Sequence, residues 1–152
     1  MTVSINQMTL VATAALLLMA ACAPPGMTTV NYQGVTVSAP ASWGRNQLWC
    51  GTPVKDTVVV NPGPQLLCLI SQPQRVSYVW LRSCTDCSAD PEAAVARQAV
   101  RVSGRAARRG EDRLPEGRTR VVLVIPDHSV VVTAVSPTPR VARDIVDSAA
   151  IS

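Results

Sequence analysis

Short runs of apolar residues, several of them alternating with polar ones, dominate the chain from residue 30 onward, and turn residues such as Gly, Pro and Asn separate them. Apolar residues at every second position are typical of a β-strand with one buried face. The runs predict seven strands, at 30–32, 35–40, 56–60, 65–70, 75–82, 119–125 and 130–136. Turn signals between them predict three hairpins, which span 30–40, 56–70 and 119–136.

The run at 75–82 differs from the others because both of its faces are apolar. Tyr78 and Trp80 lie on one face, whereas Val79 and Leu81 lie on the other. Such a strand is covered on both sides, so we predict that it occupies the centre of the sheet.

Apolar residues recur at helical spacing in two segments. In the first, Asp90 is a candidate N-cap and Pro91 suits the first helical position. This helix should reach Ser103, or Arg108 if Gly104 lies inside it, and its apolar stripe comprises Val95, Ala99, Val102 and Ala106. In the second, Thr138 can cap a helix that starts at Pro139 and buries Val141, Ala142, Ile145, Val146 and Ala149.

These elements predict one small α+β domain, with a mainly antiparallel sheet, two helices packed on one face and a disulfide brace. The chain is 47% hydrophobic and contains no Phe, so its core must be built from aliphatic residues with a few aromatic ones. We expect Trp43 and Trp49 to cover the sheet edge as core lids rather than to stack on a ligand.

The twelve residues at 10–21 are largely apolar and precede a cysteine. This length is short of the ~20 residues that cross a bilayer as a helix, and it is typical of the apolar region of a secretory signal. The sequence Met19-Ala20-Ala21-Cys22 resembles the lipobox of bacterial lipoprotein precursors. Residues 1–9 depart from such signals, since they contain no Lys or Arg.

The resemblance implies a lipoprotein signal peptide at 1–21, a lipidated tether at 22–29 and a domain at 30–152. It implies that Cys22 carries acyl chains such as palmitate, and that the membrane is a partner through this lipid. We therefore expect an exported protein that is anchored to the outer face of the cell membrane. A further envelope partner or ligand is not identified by the sequence.

Four other cysteines remain in the chain. An even number of cysteines in an exported protein indicates two disulfides, for which three pairings are possible. We favour Cys50 with Cys68, because residues 51–53 can turn the chain back, and Cys84 with Cys87 as a local ring. The sequence alone leaves the other pairings open.

Cys84 and Cys87 also form a C-x-x-C motif, which makes a thiol-disulfide oxidoreductase the alternative function. Asp86 lies between the two sulfurs and should disfavour a thiolate, and the predicted helix begins three residues too late to stabilise one. We therefore prefer a structural disulfide and a protein that is not an enzyme.

Other chemistry finds little support in the sequence. The cysteine spacing does not suit a zinc site, His128 is the one histidine, and no cofactor motif is present. Asp127, His128 and Ser129 are consecutive in a predicted turn, where they cannot align as a catalytic triad. The net charge of +4 and the export signal argue against a nucleic-acid partner.

Arg97, Arg101 and Arg108 should lie on the first helix opposite its apolar stripe. Most such charges are simply solvated, but a lipid at Cys22 would hold them near anionic headgroups. We expect a weak contact with an anionic surface as a possible further role of these arginines. The function predicted from the sequence is that of a lipid-anchored envelope protein that binds or scaffolds another molecule.

Overall fold

The computed structural model describes residues 24–66, 68, 71 and 73–152. Within these residues the chain forms twelve strands, one α-helix and two short 3-10 turns. The strands are β1 (Met27–Tyr32), β2 (Val35–Pro40), β3 (Gly44–Arg45), β4 (Leu48–Trp49), β5 (Thr52–Pro53), β6 (Thr57–Val60), β7 (Tyr78–Ser83), β8 (Gln98–Val102), β9 (Arg105–Arg113), β10 (Thr119–Ile125), β11 (Val130–Ser136) and β12 (Ala150–Ile151). The helix α1 is Pro139–Asp147, and the 3-10 turns are Glu92–Ala94 and Pro126–His128.

A seven-stranded sheet in the order β3-β6-β7-β11-β10-β9-β8 forms the centre of the domain. The hairpin β10–β11 pairs over its full length, from Thr119 opposite Ser136 to Ile125 opposite Val130. This pairing confirms the hairpin predicted at 119–136. Strand β7 lies between β6 and β11, and Val79 and Leu81 point away from Tyr78 and Trp80, so the predicted central strand is also confirmed.

One face of this sheet, which we call the core face, is covered by α1 and by a small sheet in the order β1-β2-β12. Helix α1 buries Ala142, Ile145 and Val146, as its spacing predicted. Thr138 occupies the N-cap position, but its side chain makes no capping hydrogen bond. Instead its backbone N–H donates to the Ser136 hydroxyl over 3.1 Å.

The predicted α+β class with two packed helices is wrong, because strands predominate among the described residues and only α1 is an α-helix. The segment predicted as the first helix forms the 3-10 turn Glu92–Ala94 and the hairpin β8–β9. Ser103 and Gly104 both have positive φ, at 47° and 78°, and make the two-residue turn of this hairpin. Such a turn is typical of an X-Gly hairpin and cannot continue a helix.

The hairpin predicted at 56–70 is also wrong. Strand β6 runs parallel to β3 and β7, and Gln65, Leu66 and Cys68 are not in a strand. Residues 67, 69 and 70 lie outside the described part of the chain. The side chain of Asn46 bonds the backbone of Val60 twice, accepting its N–H over 2.9 Å and donating to its carbonyl over 3.0 Å. The Asn46 side chain thus satisfies the backbone N–H and carbonyl of the last residue of β6, which a partner strand in a hairpin could otherwise have bonded.

The ends of the domain and the tryptophans refine the sequence-based view further. Strand β1 starts at Met27, three residues before the start expected at Val30. Trp43 packs against the core as expected, whereas Trp49 is 65% exposed and is not a core lid. No helix in the described residues is long and apolar enough to cross a membrane.

Candidate functional site

The face of the large sheet opposite the core face, which we call the outer face, carries a cleft. Alternation along β7 places Tyr78, Trp80 and Arg82 on this face, and Thr133 of β11 is the cross-strand partner of Trp80. These four side chains come from the two strands at the middle of the sheet. They form the floor of the cleft.

The segment 84–97, which we call the crossing segment, lies over part of the outer face. Its residues Cys84, Cys87, Ala93 and Ala96 bury the outer-face side chains Val122, Val124 and Val131. Gly110 on β9 allows this close approach, because a Cβ atom there would overlap the carbonyl oxygen of Val95 and lie 2.8 Å from the Ala96 Cα. The crossing segment therefore depends on a glycine at position 110.

An ionic network joins the crossing segment to the floor of the cleft. Arg82 binds Asp90 with both terminal nitrogens, at 2.7 Å between Nη2 and Oδ1, and the same Nη2 lies 3.0 Å from Glu92 Oε2. Thr133 donates its hydroxyl to Glu92 Oε2, and Asp90 Oδ1 accepts the backbone N–H of Glu92 over 2.9 Å. The hydrogen bond from Arg82 is the main reason that the pKa of Asp90 is lowered. Both partners therefore carry charge at neutral pH.

Tyr78 closes one end of the cleft and is almost fully buried. Burial, followed by the charge of Glu92, raises the pKa of Tyr78 to about 12, so the phenol keeps its proton at neutral pH. The guanidinium of Arg118 lies 5.9 Å from the centre of its ring, within the range of a cation–π contact. Tyr78 thus presents a neutral aromatic ring to the cleft and is not a proton acceptor at neutral pH.

The resulting cavity has a volume of about 420 Å³ and is lined by Tyr78, Trp80, Arg82, Asp90, Pro91, Glu92 and Thr133. Its charged groups are one arginine and two carboxylates, which leaves a net charge of −1. The bonds to the Glu92 carboxylate described above all use Oε2, and no hydrogen bond within the described residues uses Oε1. Aromatic rings and a carboxylate oxygen that can accept a further hydrogen bond suit a ligand that presents a cation or a hydrogen-bond donor.

The disulfide pairing preferred from the sequence is confirmed for both pairs. Cys50 and Cys68 have Cα atoms 5.4 Å apart, and those of Cys84 and Cys87 are 5.0 Å apart, distances that are normal for disulfides. Cys22 lies outside the described residues, so its lipidation stays a prediction.

Cys84 and Cys87 belong to the crossing segment and are 6% and 9% exposed. Hydrogen bonds from Ser88 lower the pKa of Asp86, so the residue next to Cys87 in the sequence keeps its negative charge. The nearest helical element that follows is a three-residue 3-10 turn, which has little dipole to stabilise a thiolate. These features support a structural disulfide and offer nothing specific in favour of the oxidoreductase alternative.

The predicted arginine face loses its helix. Arg101 and Arg108 lie on β8 and β9, and Arg97 precedes β8. Strand register places Arg101 and Arg108 on the same side of their hairpin, and each of the three guanidinium groups donates to a nearby backbone carbonyl: Arg97 to Ala94, Arg101 to Gly104 and Arg108 to Cys87. Their contact with an anionic surface stays a prediction without its helical basis.

The cleft itself was missed by sequence reasoning. Asp90 was identified only as a helix cap, and Arg82 and Thr133 were not singled out. A signal existed, because Arg82 continues the every-second-residue series of Tyr78 and Trp80 and so places a charge on a face that is otherwise apolar. Its partners come from residues 90, 92 and 133, which only the folded chain brings together.

His128 lies in the turn between β10 and β11, and its Nδ1 is 3.0 Å from the Gln33 carbonyl oxygen. Within the described part of the chain no three His, Cys, Asp or Glu side chains are grouped as a metal site would require. No protein-family model, curated protein or solved structure matches this chain.

Proposed function

We propose that this chain is an exported lipoprotein, anchored at Cys22 to the outer face of the cell membrane, whose domain is a binding module and not an enzyme. The lipobox-like sequence at 19–22 supports the anchor. The two disulfides agree with an oxidising compartment outside the cytoplasm, where such bonds persist. The outer-face cleft supports a binding role.

The single observation that carries the binding role is that the Glu92 carboxylate lines the same cavity as the aromatic rings of Tyr78 and Trp80. Arg82 and Thr133 donate hydrogen bonds to one carboxylate oxygen of Glu92, and Tyr78 and Trp80 line the cavity beside it. Because hydrogen bonds already hold these polar side chains in place, little further ordering is needed on binding, which lowers the entropic cost of association. We infer that its ligand carries a cationic or donor group on an apolar body.

The binding role is tested with benzyltrimethylammonium, and with benzyl alcohol and benzyl sulfonate as neutral and anionic counterparts. Cation–π attraction of about 0.5–2 kcal/mol predicts that the cation binds about 2- to 30-fold more tightly than benzyl alcohol. Titration calorimetry on the purified protein should detect this preference. Glu92→Gln, which removes one negative charge from the cavity and leaves the aromatic rings in place, should reduce this preference, whereas Glu111→Gln, which changes a carboxylate paired with Arg143 outside the cavity, should not.

Equal affinity for the three probes, or an equal preference in Glu92→Gln and the parent, would contradict a cation-selective cleft. Thermal melting of both variants provides the control for folding. The anchor is tested separately, by Cys22→Ala, which should prevent lipidation and release the protein from the membrane fraction. Pro24→Ala, which changes the tether but keeps Cys22, should leave the protein acylated and membrane-bound.

A further inference from the structure

Exposed apolar side chains gather at one place on the described surface. The large hydrophobic residues with high exposure are Leu66 at 85%, Trp49 at 65% and Val54 at 37%. Leu48, Trp49, Pro64 and Leu66 line one shallow depression, and we call these four residues together with Val54 the apolar tip. The disulfide between Cys50 and Cys68 ties the β4–β5 hairpin to the loop after β6 and so braces the tip.

The sequence around the apolar tip lacks charge. No charged residue occurs at 46–54 or at 57–74. Arg45, Lys55 and Arg75 flank these stretches, and the one nearby carboxylate, Asp56, accepts the backbone N–H of Ser77 over 2.7 Å. Exposed Trp and Leu with cations at the margin are typical of surfaces that lie in the membrane interface, where the indole sits at headgroup level.

The start of the domain is linked to the apolar tip by a short stretch of chain. Gly26, just before β1, accepts the backbone N–H of Ala41 over 2.9 Å, and Gly44 donates to Asp56 over 3.1 Å. Trp49 follows Ala41 by eight positions in the chain, which limits the distance between their Cα atoms to about 27 Å. Strand β12, at the far edge of the small sheet from β1, is the one that bonds Ser103 near the opposite edge of the domain.

We propose that the apolar tip inserts into the interface of the membrane that carries the lipid of Cys22. The proposal rests on the proposed function, since the acyl chains supply the attachment. Cys22 precedes β1 by only five residues, which is a reach of about 17 Å, so the lipid holds the domain against the bilayer. The tip then fixes the orientation of the domain on that surface.

This orientation makes a prediction about the arginines of the β8–β9 hairpin. Strand β8 lies six strands away from β3, about 29 Å at the usual strand spacing. Screening at physiological salt reduces charge interactions over about 8 Å. With the apolar tip in the interface, Arg101 is too far from the headgroups to bind them. This orientation therefore excludes the contact with an anionic surface that the sequence predicts for these arginines, and changing Arg97, Arg101 and Arg108 to Glu should not alter attachment.

The test uses the full protein, acylated in its host, purified and reconstituted into phosphatidylethanolamine–phosphatidylglycerol vesicles. Part of the lipid is replaced by a brominated species, which quenches tryptophans that enter the bilayer. Wild type should show a quenched fraction that disappears in Trp49→Phe, because Trp43 packs in the core and Trp80 lies in the cleft. Leu66→Asp should lose the same fraction, whereas Ala106→Asp, which adds an equal charge to exposed β9, should keep it.

The intact mass of each preparation separates the two proposals. A protein without acyl mass refutes the proposed function. An acylated protein in which Trp49→Phe leaves the quenching unchanged refutes the apolar tip alone. Quenching of Trp49 that persists fully in Leu66→Asp also overturns the tip, because the tether would then impose the contact. Cross-linked pairs of acylated protein with unquenched Trp49 would mean that a second copy covers the surface, and would overturn it as well.

Discussion

Replacing Gly110 with alanine should disturb the crossing segment and destabilise the domain. The added methyl group would overlap the carbonyl oxygen of Val95. Strain from inserting a methyl into a packed site typically costs about 1–3 kcal/mol. If the segment moves away from the sheet instead, Val122, Val124 and Val131 become partly exposed. Losing half of the free energy that their burial contributes costs about 2 kcal/mol.

An opposing effect is small. Alanine restricts the unfolded chain more than glycine does, which stabilises a protein by about 0.4–1 kcal/mol where the site accepts it. We therefore expect a net loss of about 1–2 kcal/mol in the free energy of unfolding of Gly110→Ala. Denaturant unfolding followed by tryptophan fluorescence measures this difference, and Ala106→Val at an exposed position of the same strand should change it by less than about 0.5 kcal/mol.

Local opening provides a second readout for the same variant. Amide hydrogen exchange in the crossing segment should become faster, while α1 on the opposite face keeps its protection. A Gly110→Ala protein that is as stable as wild type or more so, with unchanged exchange at 84–97, would refute the close approach described here.

Two further predictions concern ionisation and the cysteines. Because the pKa of Asp90 is lowered from 3.8 in the folded state, its stabilisation is present above that value and is lost as pH falls through the folded pKa. Asp90→Asn should therefore lose less stability than wild type between pH 6 and pH 2, and an identical acid dependence would contradict the pairing with Arg82. Alkylation of freshly isolated protein without reductant should label none of Cys50, Cys68, Cys84 and Cys87, whereas full labelling of Cys84 or Cys87 would favour the oxidoreductase alternative.

Local sequence determines some elements of this fold almost alone. The hairpin β10–β11 is rich in β-branched residues on both sides of a Pro-Asp-His-Ser turn, so propensity and turn chemistry agree. Helix α1 buries Ala142, Ile145 and Val146 at helical spacing. These elements were predictable because neighbouring residues carry the whole signal.

The segment 90–108 was mispredicted because two signals compete there. Asp90 does accept backbone N–H groups as a cap does, but for a single 3-10 turn. The stripe of Val95, Ala99, Val102 and Ala106 fits a helix, yet Val100, Val102 and Ala107 pack toward the core from paired strands. The Ser103-Gly104 turn favours the hairpin, because both residues have positive φ and so cannot continue a helix. Pairing of β9 with β10 stabilises the strands further, and a helix would lose these hydrogen bonds.

The cleft depends on long-range contacts and was therefore beyond local reasoning. Arg82 meets its carboxylates eight and ten residues later, and Thr133 meets Glu92 across 41 residues. The parallel pairing of β6 with β7 is another case, because no turn joins the two strands directly. Both features depend on the order of strands in the sheet, which local sequence does not determine.

The proposed anchor requires a mature protein that begins at an acylated Cys22. The most direct measurement is the mass of the N-terminal peptide of the protein extracted from membranes with detergent. We predict a peptide that begins at residue 22 and carries the mass of fatty acyl chains. A peptide that begins at residue 1, or one cleaved elsewhere with an unmodified Cys22, would contradict it.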